Sequence, residues 1–280
     1  MDQEHRPPPV LSPQNIVTLG NLACGVGAIL LAVAAVVENN PDRLYEGALW
    51  LVLATFLDAI DGKLARITGT ASPLGAQLDS LADCVTFGVA PGVVAVTLVR
   101  MLGPDLGINI HPRFLVVGPV VYSCCAVLRL ARFNVDSEDE DLRKDHATFV
   151  GLPSPGAAGP PIALVLFYFG IIDMKLFHVS AESIDMVHRV IVYCVPFLLL
   201  LLALLMVARV PYPHFFAWMT RSTRPVSTLA KFVVVFGLLF VEPELALLAM
   251  SLIYVFIPLF RDLPAMARSI PPLLQKKKDE

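Results

Sequence analysis

Long runs of apolar residues dominate the chain, and short polar or proline-rich segments separate them. A helix that crosses a bilayer needs about 20 predominantly apolar residues, and several of these runs reach that length. The pattern predicts an all-α integral membrane protein, a helical bundle of about eight transmembrane helices. The predicted spans are about 15–37, 48–67, 78–102, 113–133, a fifth that follows residues 151–161 and ends near 174, 190–207, 227–241 and 245–260.

The two ends of the chain differ from its interior. We expect residues 1–13 to form a polar cytoplasmic tail, 14–262 a transmembrane domain that holds the functional residues, and 263–280 a basic cytoplasmic tail. The N-terminal segment lacks the basic-then-apolar layout of a cleaved signal peptide. We therefore expect the first apolar run to be retained.

The composition supports the membrane class. Of the 280 residues, 56% are hydrophobic and 16% are charged, whereas soluble domains carry about 25% charged residues. All cysteines lie in apolar runs without a CxxC pattern, namely Cys24, Cys84, Cys124, Cys125 and Cys194. We expect them to be buried apolar side chains rather than disulfides or zinc ligands.

The distribution of basic residues predicts the orientation of the bundle. If both termini are cytoplasmic, only five of the 21 Lys and Arg residues fall outside: Arg43, Arg100, Arg113, Lys175 and Arg189. Cytoplasmic segments of membrane proteins are enriched in Lys and Arg. The predicted topology is N-in and C-in, in a bacterial cytoplasmic membrane.

Charged and polar residues interrupt the apolar pattern most strongly between Asp58 and Asp83, in the sequence DAIDGKLARITGTASPLGAQLDSLAD. Carboxylates beside hydrocarbon are costly and need partners. On a helix, Asp58 and Asp61 are about 60° apart, and Asp79 and Asp83 about 40° apart, so each pair lies on one face. Two antiparallel helices joined by the linker 68–77 would turn the two pairs toward each other.

Such a cluster of oxygen ligands suits hard cations, Mg²⁺ or Mn²⁺ with Ca²⁺ as a possible occupant, and not zinc. Phosphate could bind beside it. Gly62 and Gly75 free the backbone for a ligand, Ala65 keeps the next turn small, and Arg66 can bind phosphate oxygens through two contacts. Two ions bound by shared carboxylates would stabilise a pyrophosphate under attack, with one carboxylate acting as general base.

The spacing of these residues resembles a known family signature. The stretch matches Asp-x2-Asp-Gly-x2-Ala-Arg-x8-Gly-x3-Asp-x3-Asp at every fixed position, and it is similar to the motif of the CDP-alcohol phosphatidyltransferase family. Members of this family transfer a phosphatidyl group from a CDP-linked lipid to an alcohol and release CMP. The resemblance implies a core of six transmembrane helices, to which two C-terminal helices are added here, and a homodimer among membrane lipids.

The resemblance also implies roles for individual residues. Asp58, Asp61 and Asp79 would ligate a binuclear metal site, and Asp83 would ligate the second metal and act as the catalytic general base. Residues assigned to the CDP-lipid are Asn15, Thr18, Asn21, Gly62, Ala65, Arg66 and Gly75. For the three residues of the first span, helix capping or interhelical hydrogen bonding is an open alternative.

Segments outside the motif bear on the acceptor alcohol. Residues 78–91, 128–134, 151–159 and 207–215 are similar to those of family members that use serine. The expected substrates are therefore CDP-diacylglycerol and L-serine. Another acceptor, glycerol 3-phosphate or an inositol phosphate, is an alternative, and a divalent-cation transporter is an alternative of another class.

A zwitterionic acceptor needs a cation for its carboxylate. The candidate residues for binding serine or phosphate are Arg129, Arg132, Asn134 and Arg209. The arginines could instead anchor the bundle to lipid phosphates at the interface, and the asparagine could merely cap a helix. No feature of the chain indicates a nucleic-acid partner.

Overall fold

The computed structural model describes residues 12–68, 72–138, 149–171, 180–208, 210–212 and 237–269. The α-helices bounded in this part of the chain are α1 Pro13–Glu38, α2 Asp42–Thr68, α3 Pro73–Thr86, α4 Ala90–Leu102, α5 Pro112–Glu138, α6 Ser154–Gly170, α7 Ala181–Val207 and α8 Pro243–Ser269. Residues 237–241 are also helical. Two short strands, β1 Phe149–Val150 and β2 Pro211–Tyr212, pair antiparallel.

Apart from this pair of two-residue strands, the described residues confirm the expected helical membrane architecture. In the described ranges, four helical stretches are long and apolar enough to cross a membrane: Pro13–Glu38, Pro73–Leu102, Pro112–Val135 and Ala181–Val207. The apolar part of α8, Pro243–Leu259, is shorter. The protein is thus an integral membrane protein, while the predicted total of eight spans and the N-in, C-in topology stay predictions.

The third predicted span differs from the expectation in two ways. Ser72 accepts a hydrogen bond from the Gly75 backbone N–H over 3.0 Å and caps α3, which begins at Pro73, so Gly75 lies in a helix rather than in the linker. The span is also divided, since α3 ends at Thr86 and α4 begins at Ala90. Pro91 lacks the N–H that would continue the preceding helix into α4.

Small residues allow α1 to pack closely against its neighbours. Ala28, Ala32 and Ala35 of α1 are fully buried, and Ala48 of α2 belongs to the same apolar core. A Cβ atom on Gly25 would lie only 2.8 Å from the Thr86 Cα atom. Close backbone approach of this kind is typical of helix packing in membranes, and it brings the polar residues of α1 next to α2 and α3.

The C-terminal helix α8 runs antiparallel to α6. Gly156 and Gly159 near the start of α6 face Tyr254 and Ser251, whereas Gly170 at its end faces Glu244 near the start of α8. The predicted boundary at residue 262 falls within α8, which continues to Ser269.

The cysteines are all free, as expected, but their burial varies. Cys24 is buried, Cys84 and Cys125 are half-buried, and Cys124 and Cys194 are exposed at the surface of the bundle. The expectation of general burial was therefore wrong. An exposed position on an apolar membrane helix contacts hydrocarbon rather than water, so an apolar thiol is tolerated there without protein neighbours.

Candidate metal centre and active site

Three of the predicted metal ligands come together between α2 and α3. Asp58, Asp61 and Asp79 each offer a carboxylate oxygen, and these oxygens all lie within 4.8 Å of one another. Asp61 is only 3% exposed. The helical periodicity of the sequence predicted this convergence, and the short connection between α2 and α3 makes it possible.

Asp83 lies beside this group, one turn further along α3 than Asp79. It interacts electrostatically with the other three aspartates, although it is not part of the close group of ligand oxygens. Its Oδ1 accepts a hydrogen bond from Asn21 Nδ2 over 3.3 Å. The four predicted acidic residues therefore form a set of three convergent carboxylates and one adjacent carboxylate.

The donor set fits a hard divalent cation. Asp79 Oδ1 is buried and has no hydrogen-bond partner among the described residues, which is costly for a carboxylate oxygen. Close carboxylates also repel one another in a low-dielectric setting. Oxygen ligands of this kind suit Mg²⁺, Mn²⁺ or Ca²⁺, and a bound cation would satisfy the buried oxygen and offset the repulsion.

Polar residues of α1 bind the acidic residues of its two neighbours. Thr18 Oγ1 lies 3.1 Å from Asp61 Oδ2 and can donate a hydrogen bond to it. Asn21 reaches Asp83 on the other side, and its backbone carbonyl accepts a hydrogen bond from Thr86 Oγ1 over 3.2 Å. The interhelical alternative for Thr18 and Asn21 is thus realised, and their contact with a CDP-lipid stays a prediction.

The two glycines assigned to the CDP-lipid have different surroundings. A Cβ atom on Gly75 would lie 3.2 Å from both Asn15 Oδ1 and Gln14 Nε2, so this glycine serves the packing of α3 against α1. By contrast, no described atom lies within 4 Å of the Cβ position of Gly62. Among the described atoms, room for a ligand therefore exists beside this helical glycine, which follows Asp61 in sequence. The side chains of Ala65 and Arg66 lie outside the described part.

The basic end of α5 also reaches the site. Arg129 Nη1 donates a hydrogen bond to Ser154 Oγ over 2.9 Å, and the guanidinium interacts electrostatically with Asp83. Asn134 Oδ1 accepts a hydrogen bond from Ser80 Oγ over 3.0 Å, next to Asp79 in sequence. Arg132 is exposed, and Arg209 lies outside the described residues.

Sequence reasoning missed the roles of two residues of this region, Ser154 and Thr86. Ser154 lies within the segment 151–159 that was singled out, although no role was assigned to it. Thr86 likewise lies within the segment 78–91 without an assigned role, because its hydrogen bond to the Asn21 carbonyl comes from tertiary packing.

The described helices gather three convergent carboxylates and the adjacent Asp83, with Arg129 within electrostatic range. This set of charges suits a divalent cation and a phosphate group. A family model described as CDP-alcohol phosphatidyltransferase matches residues 12–195. The chain belongs to the CDP-alcohol phosphatidyltransferase family, and it is a phosphotransferase enzyme. The family expected from the motif is thereby confirmed, and α8 lies beyond the matched residues.

Several curated relatives share a single description, CDP-diacylglycerol--serine O-phosphatidyltransferase. The protein of that name from Bacillus subtilis is 30% identical over 200 residues, which cover 71% of this chain and 89% of the relative. The Helicobacter pylori (strain 26695) protein is 34% identical over 169 residues, covering 60% and 61% of the two chains. The Mycobacterium tuberculosis (strain H37Rv) protein is 36% identical over 153 residues, covering 53% and 46%.

Proposed function

We propose that the protein is a metal-dependent CDP-diacylglycerol–serine O-phosphatidyltransferase, which transfers the phosphatidyl group of CDP-diacylglycerol to the hydroxyl of L-serine. The products are phosphatidylserine and CMP. The observation that carries this proposal is the convergence of Asp58, Asp61 and Asp79, with Asp83 beside them. The choice of serine among acceptors is supported by the description shared by the relatives.

Asp83 is the general base in this proposal. It takes the proton of the serine hydroxyl, and the serine oxygen forms a bond to the β-phosphorus of CDP-diacylglycerol. The bond between that phosphorus and the oxygen bridging to the α-phosphorus breaks, so CMP leaves with the bridging oxygen. The hydrogen bond from Asn21 to Asp83 Oδ1 orients the carboxylate, and orientation is a large part of a general base's contribution.

Asp58, Asp61 and Asp79 would hold the divalent cation, Mg²⁺ or Mn²⁺, and Asp83 would contribute to a second ion. Bound cations supply charge stabilisation for the diphosphate and for the CMP leaving group. Thr18 supports this ligand set through its hydrogen bond to Asp61. In this proposal, the packing of the helices and the Thr18 hydrogen bond hold the carboxylate oxygens close together in the absence of substrate.

The CDP-lipid would lie against the open side of Gly62, where no described atom occupies the space of a side chain. Other residues proposed to contact it are Asn15, Thr18, Asn21, Ala65, Arg66 and Gly75. We place this site at the cytoplasmic face of a bacterial inner membrane, where CTP-derived nucleotides and serine are available, and we propose a homodimer.

Serine would bind on the side of Arg129. A carboxylate is recognised well by a guanidinium, and Arg129 lies within electrostatic range of Asp83, the group that must meet the serine hydroxyl. Arg132, Asn134 and Arg209 are further candidates for serine or phosphate. Asn134 accepts a hydrogen bond from Ser80 through Oδ1, so its amide nitrogen is the atom that would donate to a substrate.

An acceptor screen tests the proposed reaction. Purified protein in detergent–lipid micelles with CDP-diacylglycerol and Mg²⁺ or Mn²⁺ is supplied with serine, glycerol 3-phosphate or an inositol phosphate, and CMP release is measured. We expect release only with serine. Release with another acceptor would refute the serine assignment and leave the family intact.

A further inference from the structure

The break between α3 and α4 deprives one buried backbone carbonyl of its usual helical donor. In a continuous helix, the carbonyl of Phe87 would accept a hydrogen bond from the N–H of residue 91. That residue is Pro91, which has no N–H. Phe87 is fully buried, and a buried carbonyl without a hydrogen-bond partner is costly. A donor from another helix is therefore needed at this carbonyl.

Tyr122 of α5 supplies this donor. Its hydroxyl donates a hydrogen bond to the Phe87 carbonyl over 2.9 Å, and the tyrosine itself is fully buried. The N–H of Phe87 donates in turn to the carbonyl of Asp83 over 2.9 Å, and the N–H of Gly88 donates to the same carbonyl over 3.1 Å. A single residue, Phe87, thus connects the tyrosine hydroxyl to the backbone of Asp83.

One face of α5 packs against the break and the start of α4. A Cβ atom on Gly88 would lie 3.1 Å from the Ala126 Cβ atom, and one on Gly92 would lie 3.3 Å from the Pro119 Cβ atom. Pro119, Tyr122 and Ala126 follow the spacing i, i+3, i+7, which places them on one face of the helix. The glycines allow close approach of the two helices, and the Tyr122 hydroxyl adds a directional contact to this apolar packing.

Another hydrogen bond joins α5 to α3 on the far side of Asp83. Ser80, one turn before Asp83, donates to Asn134 Oδ1 over 3.0 Å, and Phe87 lies one turn after Asp83. Asp83 therefore lies between two hydrogen bonds that tie α3 to the same helix. The Tyr122 contact is the one that reaches the Asp83 backbone through a chain of hydrogen bonds.

We propose that Tyr122 is a positioning residue for Asp83. Its hydroxyl holds the end of α3 against α5, and this contact keeps the Asp83 carboxylate where it can take the proton of the acceptor alcohol. The inference rests on the proposed function for the role of Asp83 as general base. Tyr122 acts through the backbone of Phe87 and takes no part in the proton transfer. Its loss should therefore slow the chemical step rather than weaken substrate binding.

Steady-state kinetics of Tyr122→Phe test this role, with Tyr212→Phe as the matched control. The Tyr212 hydroxyl is also buried and donates to a helix carbonyl, that of Val255, over 3.1 Å. We expect Tyr122→Phe to lower kcat for CMP release about tenfold, with KM for CDP-diacylglycerol and for serine within about twofold of the wild type. Tyr212→Phe should keep kcat within about twofold. An unchanged kcat in Tyr122→Phe, or an equal fall in both variants, would overturn the inference.

The number of intact sites is measured separately, because partial unfolding would also lower the apparent kcat. Calorimetric titration with CDP-diacylglycerol in the absence of an acceptor gives the number of binding sites per chain. We expect this number to be the same in Tyr122→Phe and in the wild type. A loss of sites in proportion to the loss of kcat would indicate a merely structural role for the tyrosine and would overturn the inference.

A second substitution separates the contact with α5 from the need to satisfy the carbonyl. In Pro91→Ala, residue 91 regains an N–H that can donate to the Phe87 carbonyl. If the contact with α5 positions Asp83, adding Tyr122→Phe to Pro91→Ala should still lower kcat about tenfold. A fall of less than about twofold would show that any donor to this carbonyl suffices, and the role assigned to Tyr122 would be wrong.

The inference and the proposed function fail in different ways. A wild-type protein that releases CMP with another acceptor refutes serine as the substrate, and the same variants are then compared with that acceptor. A wild-type protein that uses serine while Tyr122→Phe matches its kcat refutes only the role of Tyr122.

Discussion

Asn21 Nδ2 donates a hydrogen bond to Asp83 Oδ1 over 3.3 Å, and this contact joins α1 to α3 at the acidic site. The backbone carbonyl of the same asparagine accepts a hydrogen bond from Thr86. The side chain and the backbone of Asn21 are thus both hydrogen-bonded to α3, and the side chain constrains one oxygen of the proposed general base. In the proposed reaction, the other carboxylate oxygen of Asp83 would accept the proton of the acceptor alcohol.

Replacement of Asp83 by Asn should abolish most of the activity. The amide cannot accept the proton, so we expect kcat for CMP release to fall about a thousandfold, within the range that general-base catalysis contributes. Asp185→Asn is the control, because Asp185 forms an exposed ion pair with Arg189 away from the site. A turnover in Asp83→Asn within about tenfold of the wild type would show that another group takes the proton.

Loss of a proposed ligand should weaken metal binding together with activity. Asp79 offers a buried oxygen that has no hydrogen-bond partner among the described residues. We expect Asp79→Asn to weaken Mn²⁺ binding, measured by electron paramagnetic resonance, at least about tenfold. Chelation of the wild type should abolish CMP release, and added Mg²⁺ or Mn²⁺ should restore it. Unaltered Mn²⁺ affinity in Asp79→Asn would contradict its assignment as a ligand.

Substitution of Gly62 tests whether the CDP-lipid binds beside this glycine. Alanine is the better helix former by about 1 kcal/mol, and no described atom lies within 4 Å of the Gly62 Cβ position. Gly62→Ala should therefore not lower the thermal unfolding temperature. We expect its KM for CDP-diacylglycerol to rise about tenfold, because a methyl group would occupy room meant for the substrate.

The control for this substitution is Gly237→Ala. Gly237 is also helical, with no described atom within 4 Å of its Cβ position, and it lies outside the proposed site. Gly237→Ala should leave both the unfolding temperature and KM for CDP-diacylglycerol nearly unchanged. If Gly62→Ala behaved in the same way, the backbone at Gly62 would not contact the CDP-lipid.

The convergence of the acidic residues could be predicted from the sequence because it depends on local geometry. Helical periodicity puts Asp58 and Asp61 on one face, and a short connection brings Asp79 of the next helix to the same level. The start of α3 at Pro73 was missed although Ser72 and the proline form a recognisable helix start. The apolar pattern alone could not give the break between Thr86 and Ala90, since apolar residues continue through it.

The surroundings of Arg129 could not be predicted. Its hydrogen bond to Ser154 depends on how α5 packs against α6, and the two residues are 25 positions apart in sequence. No periodicity within one helix reports on such a pair. The same holds for Cys124 and Cys194, whose exposure depends on which helix faces meet protein and which meet lipid.

Product analysis with serine that carries a heavy oxygen isotope in its hydroxyl tests the central claim most directly. The reaction is run with CDP-diacylglycerol, and lipid and nucleotide products are examined by mass spectrometry. If the serine oxygen attacks the β-phosphorus, phosphatidylserine should retain the heavy oxygen and CMP should contain none. Formation of phosphatidic acid with a serine–CMP adduct, or of a phospholipid without serine, would contradict phosphatidyl transfer to serine.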